Sequence, residues 1–395
     1  MDSKHPSDAS RPLMALLYDK TVRSIIYQVL VFGGVFFLGW YLVSNVQTNL
    51  DEQNIATGFG FLDREASFGI SESVIAYSPE SNYGRALLVG ILNTIKVSLT
   101  GIILASIIGT LIGIGLVSKN WLVRFIGKTY IDVFRNVPLL LQLFFWYALI
   151  TNGLPGVRQA LNPLPGTFLT NRGLYLPIPA DNPAWFWVFI AFIVGIIGAF
   201  VLRKWSFKRL EATGQVFPHL SVGLGIVVGL PILTWLLFGA PIEMNVPALQ
   251  GFNFQGGLNM SPEFFTLLLG LTVYTATYIA EVVRSGIQSV PKGQSEASTS
   301  LGLKPSWTMR LIVLPQALRV IIPPLTNQYL NLTKNSSLAV AIGYPELVSI
   351  SNTTMNQTGQ AVEGVAIFMT VYLGISLLIS LFMNWYNKRM ALVER

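Results

Sequence analysis

Residues able to perform catalysis or bind metals are scarce in this 395-residue sequence, which has no cysteine and two histidines, His5 and His219. Thiolate and iron–sulfur sites are therefore excluded, and neither a multi-histidine metal site nor a Ser-His-Asp triad is expected. Gly127-Lys128-Thr129 resembles the end of a nucleotide-binding P-loop, but Leu122 stands where that motif needs its first glycine. We predict a chain that is not an enzyme and binds no metal, ATP or other cofactor.

The polar side chains with the clearest indication of function lie inside long apolar runs. Polar groups in such runs are costly to place in a membrane, so they mark functional sites by default. They are Asn93, Thr94, Lys96, Gln142, Tyr274, Thr275, Asn327, Lys334, Asn335 and Ser336. Amide and hydroxyl groups supply hydrogen-bond donors for a carboxylate and acceptors for an ammonium group. The set therefore predicts a translocation path for polar solutes.

Several of these residues allow a second interpretation. Lys96 either extends to the outer membrane surface or attracts a substrate carboxylate. Threonine hydroxyls, such as that of Thr275, also bond to carbonyl groups of their own helix. The cluster from 327 to 337 is too polar to face lipid, so it lines either a water-filled path or an interface between subunits.

The composition of the chain indicates a membrane protein. Hydrophobic residues make up 52% of the sequence and charged residues 11%, against roughly a quarter charged in soluble domains. Eight segments approach the length of about 20 apolar residues that crosses a bilayer. They are 24–44, 87–117, 133–151, 184–202, 218–240, 262–283, 316–338 and 363–386. The sequence thus predicts an all-α polytopic membrane protein, with a third span that Arg135, Asn136 and Pro138 interrupt at its start.

The positive charges predict the orientation of these spans. Of the 26 Lys and Arg residues, 20 fall in segments on one side, whereas Lys96 and Lys334 lie within spans. The remaining four, on the other side, are Arg64, Arg85, Arg158 and Arg172. This bias predicts that both termini are cytoplasmic. The first span is predicted to be a permanent anchor because it is longer than a typical signal-peptide core and no A-x-A cleavage site follows it. The net charge of +7 is therefore a topology signal, and no nucleic acid is expected as a partner.

The inner loop 284–315 contains two helix signals separated by a turn signal. The stretch 291–301 is compatible with a helix, and Gly302 suits a left-handed cap at its end. Pro305 and Ser306 suit the start of a second helix. The loop is therefore predicted to form two short helices on the membrane surface, a shape suited to contact with a soluble partner.

The same loop resembles the EAA loop of ABC-importer permeases, whose pattern is Glu-Ala-Ala, three residues, Gly, nine residues and Ile-x-Leu-Pro. The matching residues are Glu296, Ala297, Ser298, Gly302, Ile312, Leu314 and Pro315. Ser298 replaces the second alanine, and this exchange of small residues should not prevent docking. The resemblance implies that the loop docks on an ATPase subunit, with Glu296 as polar contact and Gly302 setting the angle between the helices. The alternative is an ordinary amphipathic loop between spans.

Neighbouring stretches resemble the polar amino-acid permeases of the histidine/glutamine type. These stretches are 133–147, 271–288 and 334–347. In the first of them, shorter members of the family have glycine in place of Asn136. The chain also resembles the long permease of the general L-amino-acid (Aap/Bzt) transporters. The features that carry this resemblance are the additional first span, the acidic outer loop with fragment 55–73, and two extra spans. The implied fold is a type I ABC importer permease (MetI-like) core with an inserted helix pair and about eight transmembrane helices.

This resemblance implies a multi-subunit importer in the bacterial inner membrane. The chain would take up L-amino acids delivered by a periplasmic binding protein. Its other expected partners are the lipid bilayer, a second homologous permease in a heterodimer, and two ATPase subunits that use ATP and Mg²⁺. The alternative is an ion-driven secondary transporter of small polar solutes. Such a carrier would need deeply buried acids, but Glu281 and Glu363 lie near span ends.

The predicted spans and the EAA-like loop also define the expected organisation of the chain. Residues 1–23 form the cytoplasmic N-terminus, 24–84 the anchor helix and outer loop, 85–151 the first half of the core, and 262–395 the second half with the EAA-like loop. Residues 152–261 form an insertion of two spans and two outer loops. The first of these loops, rich in Pro and Gly, is predicted to be ordered but without regular helix.

Overall fold

The structure is a computed structural model that describes residues 20–52 and 57–390. Residues 1–19, 53–56 and 391–395 lie outside the described residues, and with them most of the predicted cytoplasmic N-terminus. Helices make up most of the described chain, which confirms the prediction of a helical membrane protein. We call the side of the EAA-like loop inner and the opposite side outer.

The described residues form twelve α-helices. These are α1 (Lys20–Glu52), α2 (Tyr83–Leu116), α3 (Trp121–Arg135), α4 (Leu139–Gly153), α5 (Pro183–Thr213), α6 (His219–Leu237), α7 (Pro262–Gln288), α8 (Lys292–Ser300), α9 (Pro305–Thr308), α10 (Leu314–Asn335), α11 (Leu347–Thr358) and α12 (Ala361–Met390). A π-helical turn, Met309–Val313, joins α9 to α10. Within the described ranges, seven helical stretches are long and apolar enough to cross a membrane, or eight if the bent pair α3–α4 is one span.

The third predicted span needs correction. The sequence predicts one span over 133–151, but α3 and α4 meet there at an angle of 100°. Pro138 has no amide hydrogen and disfavours helical backbone in the residue before it, so one helix ends at Arg135 and another begins at Leu139. With 15 residues, α4 is about 22 Å long.

Helix α7 lies at the centre of the core and packs against α2, α4 and α10. The approach of α2 is so close that a Cβ atom on Gly109 would lie 2.7 Å from Cβ of Ile279. A Cβ on Gly113 would lie 2.7 Å from the carbonyl oxygen of Ala280. The GxxxG spacing in α2 therefore serves helix packing.

The outer segment between α1 and α2 crosses the outer end of this core. Phe61 and Ala66 are fully buried, and they pack in one cluster with Leu87 of α2 and Leu347 of α11. The segment thus belongs to the core and is not a free loop.

The two outer loops of the insertion form one small β-subdomain. Its strands are β1 (Leu161–Leu164), β2 (Thr167–Thr170), β3 (Gly173–Leu176), β4 (Ile178–Pro179), β5 (Met244–Asn245), β6 (Ala248–Gln250), β7 (Asn253–Gln255) and β8 (Leu258–Met260). An antiparallel sheet has the order β1-β2-β3-β8, while β4 pairs with β5 and β6 with β7. Leu174 in the first loop stands opposite Met260 in the second, so the sheet joins the two loops.

The inserted helices α5 and α6 pack mainly against each other. A Cβ on Gly195 would lie 3.0 Å from Cα of Val227, so the glycine permits the close crossing of the pair. In contrast, a Cβ atom on Gly225 or Gly229 would have no neighbour within 4 Å. Their GxxxG spacing therefore has no packing role within the described chain.

Candidate coupling surface and translocation path

The EAA-like loop forms two short helices, as the sequence predicts. At the end of α8 the amide of Gly302 donates to the Thr299 carbonyl (2.9 Å), and the amide of Leu303 donates to the Ser298 carbonyl (3.1 Å). Gly302 has φ +74°, a left-handed conformation that disfavours residues with a Cβ atom. This Schellman motif sets the turn between α8 and α9.

The Glu-Ala-Ser segment of α8 divides between surface and interior. Glu296 and Ala297 are exposed, whereas Ser298 is 1% exposed. The Ser298 hydroxyl donates to the Ser295 carbonyl at 2.7 Å and lies 2.8 Å from the hydroxyl of Thr308 in α9. Ser298 therefore holds α8 and α9 together, and of the three residues only Glu296 and Ala297 remain exposed.

The second half of the EAA-like pattern lies where the loop enters the span α10. Ile312 and Pro315 are half-buried, and Leu314 is exposed. The π-helical turn Met309–Val313 continues into α10 without an intervening loop. The backbone is therefore helical without interruption from α9 into α10.

Asn93 and Thr94, two predicted path residues, are fully buried at the outer end of α2. The Asn93 side-chain amide donates to the carbonyl groups of Glu72 and Pro345, both at 2.8 Å. The Thr94 hydroxyl accepts a hydrogen bond from the Leu347 amide at 3.1 Å. These bonds tie α2 to the outer segment and to the start of α11.

Lys96 forms an ion pair at the same end of α2. Its Nζ lies 2.5 Å from Oε1 of Glu72 and 4.3 Å from the ring centroid of Phe264. The second oxygen of Glu72 accepts a hydrogen bond from Ser261, the N-cap residue of α7, at 2.6 Å. The Lys96 side chain is 34% exposed, and an internal carboxylate neutralises its charge.

A buried acid, Glu346, caps α11 and has no counterpart among the sequence-predicted site residues. Its carboxylate accepts from the amides of Val348 and Ser349, both at 2.8 Å, and from the Tyr372 hydroxyl at 3.0 Å. Burial raises the pKa of Glu346 to about 7, although these three bonds oppose the rise. The predicted path residue Ser336 belongs to this cluster, since its hydroxyl lies 3.4 Å from that of Tyr372. An acid directly before a helix start is the sequence signal that could have indicated the cap.

Gln142 closes the break between α3 and α4. Its side-chain amide donates to the carbonyl groups of Phe134 at 2.7 Å and Val137 at 2.9 Å. Carbonyl groups at the end of a helix lack helical partners, so these bonds stabilise the bend.

The polar residues of α7 have two different surroundings. The Tyr274 hydroxyl lies 2.8 Å from that of Tyr278, whose ring is 5.1 Å from the guanidinium group of Arg135. Thr275 and Thr277 are buried, and the Thr277 hydroxyl donates to the Tyr274 carbonyl at 2.7 Å. Tyr274 is therefore linked to the α3–α4 bend, while Thr275 faces the interior.

Helix α10 presents the most open polar surface among the predicted path residues. Asn327, Asn331 and Lys334 are exposed, and their spacing of four and three residues places them on one face. Asn335 is half-buried beside them. Within the described ranges, Lys334 takes part in neither of the two ion pairs. Two amides and an unpaired ammonium group are costly to expose to lipid, so this α10 stripe is suited to face water or another subunit.

Residues 191–392, about half of the chain, match the family described as "Binding-protein-dependent transport system inner membrane component". The match contains α7, the EAA-like loop and the α10 stripe. The chain belongs to this permease family.

Relatives of this permease match over nearly its full length. It is 50% identical over 379 residues to the "General L-amino acid transport system permease protein AapQ" of Rhizobium johnstonii, covering 96% of this chain and 95% of that protein. It is 38% identical over 427 residues to the "Glutamate/glutamine/aspartate/asparagine transport system permease protein BztB" of Rhodobacter capsulatus, covering 99% of each. These matches confirm the resemblance to the long amino-acid permeases.

Among solved structures, the permease is similar to a chain of an amino acid ABC transporter with histidines. The similarity covers 78% of this permease and 95% of that chain, at 20% identity and a TM-score of 0.46. Family membership rests on the sequence matches above, and it favours the importer interpretation over the ion-driven transporter.

Proposed function

We propose that this permease forms the membrane path of an ATP-driven importer of L-amino acids, fed by a periplasmic binding protein and driven by two ATPase subunits. The observation that carries this proposal is the geometry of the EAA-like loop. Gly302 and the Ser298–Thr308 bond hold α8 and α9 at a fixed angle while Glu296 and Ala297 face outward. Because the loop lies between α7 and α10, a soluble partner that moves it displaces two spans at once.

The charge pattern supports the orientation of this assembly. The basic residues concentrate on the side of the EAA-like loop, which supports a cytoplasmic loop and cytoplasmic termini in the bacterial inner membrane. Since Leu122 interrupts the P-loop-like sequence, ATP and Mg²⁺ are assigned to the ATPase partners. The names of the relatives support L-amino acids as the transported solutes.

The α10 stripe supports a second, homologous permease subunit. In a dimer, Asn327, Asn331 and Lys334 would line a water-filled path at the interface, where polar side chains do not meet lipid. The Lys334 ammonium group would bind the substrate carboxylate, and the amides would contact its other polar groups. The buried residues Asn93 and Ser336 would support this path from behind, Asn93 through its bonds to the carbonyl groups of Glu72 and Pro345 and Ser336 through its contact with Tyr372 of α12.

Purification and reconstitution test the proposal. A tag on this permease should bring down an ATPase and a second permease in mild detergent. In proteoliposomes, uptake of radiolabelled glutamate or glutamine should require the binding protein and ATP, stop with vanadate, and persist with ionophores. A complex given a non-hydrolysable ATP analogue is the matched control. Isolation without an ATPase, or uptake that follows a Na⁺ or H⁺ gradient without ATP, would contradict the proposal.

A further inference from the structure

The β-subdomain of the insertion contains a cavity of about 310 Å³ that faces the outer side. Its lining residues are Gly156, Val157, Arg158, Gln159, Asn171, Arg172 and Phe252. Both arginine side chains are exposed, and Phe252 is 78% exposed at the turn between β6 and β7. We call Arg158, Arg172 and Phe252 the two-arginine surface.

The two guanidinium groups converge on Phe252. Nη1 of Arg172 donates to the Phe252 carbonyl at 3.0 Å, and the Arg158 guanidinium group lies 5.9 Å from the centroid of the Phe252 ring. None of the residues that line the cavity is acidic. In the described part of the chain neither arginine forms an ion pair, so both positive charges are available to an external partner.

The backbone beneath this surface is held in place. The Asn171 amide donates to the Pro155 carbonyl at 3.0 Å, and the Arg172 amide donates to the Thr170 hydroxyl at 3.0 Å. Below Phe252, the ring of Phe254 stacks on that of Phe168 with centroids 4.3 Å apart. A surface ordered before binding loses less conformational entropy when a partner arrives.

The chemistry of the surface fits carboxylates around an apolar contact. Guanidinium groups bind carboxylates through paired, charge-assisted hydrogen bonds. Arginine and large aromatic residues are also the types that dominate binding energy at protein interfaces. The outer segment before α2 is acidic, with Asp63, Glu65 and Glu80 exposed, so an acidic partner is repelled there and attracted to the two-arginine surface.

The position of the subdomain connects this surface to the EAA-like loop. Arg172 lies in the turn between β2 and β3, and β3 pairs with β8. Strand β8 leads through Ser261 directly into α7, an unbroken helix of 27 residues and about 40 Å. Three residues separate the end of α7 from α8, the helix with Glu296. A force exerted on the two-arginine surface by a bound partner is therefore transmitted to the opposite membrane face through one continuous helix.

We infer that the two-arginine surface binds acidic side chains of the soluble amino-acid-binding protein, and that α7 transmits the effect of this binding to the EAA-like loop. The inference rests on the proposed function, because it assigns a location to the binding-protein partner.

The experiment measures ATP hydrolysis by the whole transporter in nanodiscs of phosphatidylcholine, with increasing concentrations of its binding protein. The double variant Arg158→Gln/Arg172→Gln should raise the half-stimulating concentration by roughly tenfold, the effect of losing two exposed ion pairs. ATP hydrolysis without binding protein should not change. Stimulation of the unmodified transporter should weaken as salt rises, because salt screens exposed charges, and the variant should lose most of this dependence.

Two further variants make the result specific. Arg64→Gln removes another exposed outer arginine and should leave the half-stimulating concentration unchanged. Phe252→Ala removes the apolar contact while both charges remain, and it should weaken stimulation independently of salt. Equal thermal unfolding midpoints for all variants confirm that the fold is intact.

The outcomes separate the inference from the proposed function. If no soluble binding protein stimulates the unmodified transporter, the proposed function fails. If stimulation is normal and the double variant responds like the unmodified transporter, the docking assignment is overturned while the proposed function stands. If the double variant differs only in nanodiscs that contain anionic lipid, the two arginines bind lipid headgroups and the inference is also overturned.

Discussion

The hydroxyl oxygens of Ser298 in α8 and Thr308 in α9 lie 2.8 Å apart inside the EAA-like loop. The bond joins the two helices across the Gly302 turn. Ser298 is also the position at which the sequence departs from the EAA pattern, so the departure adds a cross-link within the loop and leaves Glu296 and Ala297 exposed.

Removal of this bond should weaken coupling without abolishing transport. Ser298→Ala and Thr308→Val should each lower the amount of amino acid transported per ATP by roughly two- to fivefold, since a buried neutral hydrogen bond contributes about 1 kcal/mol. The double variant should lose little more than either single variant, because both remove the same bond. Ser300→Ala, which removes an exposed hydroxyl of α8, is the control. Fully additive losses would show that the two residues do not act as a pair.

Gly302→Val should uncouple ATP hydrolysis from transport. At φ +74° a β-branched side chain is strained by about 1–2 kcal/mol or more, so the angle between α8 and α9 must change. The variant should reach the membrane and support ATP hydrolysis, while uptake into proteoliposomes is lost. Gly293→Val, placed in α8 with no neighbour within 4 Å, should keep most of the uptake. Normal uptake by the Gly302 variant would refute the coupling role of the turn.

The Glu72–Lys96 pair should stabilise the outer end of the core. Glu72→Gln leaves the ammonium group without its carboxylate and should lower the thermal unfolding midpoint by several degrees, roughly the effect of 1–2 kcal/mol. Lys96→Met/Glu72→Gln should recover part of this loss, because no charge is then left unpaired. Glu65→Gln, an exposed acid of the same segment, is the control. A raised KM for amino acids in Lys96→Met, with an unchanged midpoint, would instead assign Lys96 to substrate binding.

Lys334→Gln should reduce amino-acid uptake by about tenfold or more. The substitution removes the one ammonium group of the α10 stripe, and a hydrogen bond to a charged group contributes about 1.5–3 kcal/mol. The loss should appear mainly as a higher half-saturating substrate concentration, with insertion and assembly unchanged. Lys388→Gln, in the last turn of α12, serves as the matched control. Equal uptake by the two variants would remove Lys334 from the path.

Glu346 should make the stability of the permease fall as pH rises. Its pKa is raised from 4.5 to about 7 in the folded state, so between these values the folded protein binds a proton that the unfolded chain releases. The contribution of this bound proton to folding stability is fully present below about pH 4.5 and is lost as pH rises through 7. Glu346→Gln cannot ionise, so its unfolding midpoint should rise relative to that of the unmodified permease from pH 5 to pH 8. Parallel curves for the two proteins would contradict the assignment, and Glu80→Gln controls for loss of an exposed acid.

Local patterns in the sequence predicted the features that depend on neighbouring residues. The Pro291–Gly302 signals are confirmed as α8 and its left-handed cap, because helix and turn preferences act over a few residues. Pro138 marks an interruption in the sequence, but the 100° bend does not follow from it, since the bend depends on how α3 and α4 pack against α7. The strands of the β-subdomain were not predicted either. They have two to four residues each, and β3 pairs with β8 across the whole α5–α6 hairpin.

The sequence by itself determined the membrane class, most of the spans, the charge bias and the EAA-like loop, because hydropathy, charge and turn chemistry are properties of short segments. Only the tertiary structure decided which polar residues are engaged inside the fold. It placed Glu72 against Lys96 and buried Asn93 and Ser336, but left Lys334 open on α10. The physical reason is that a polar residue in an apolar run needs a partner, and that partner comes from segments distant in the chain, whose approach only the packed helices determine.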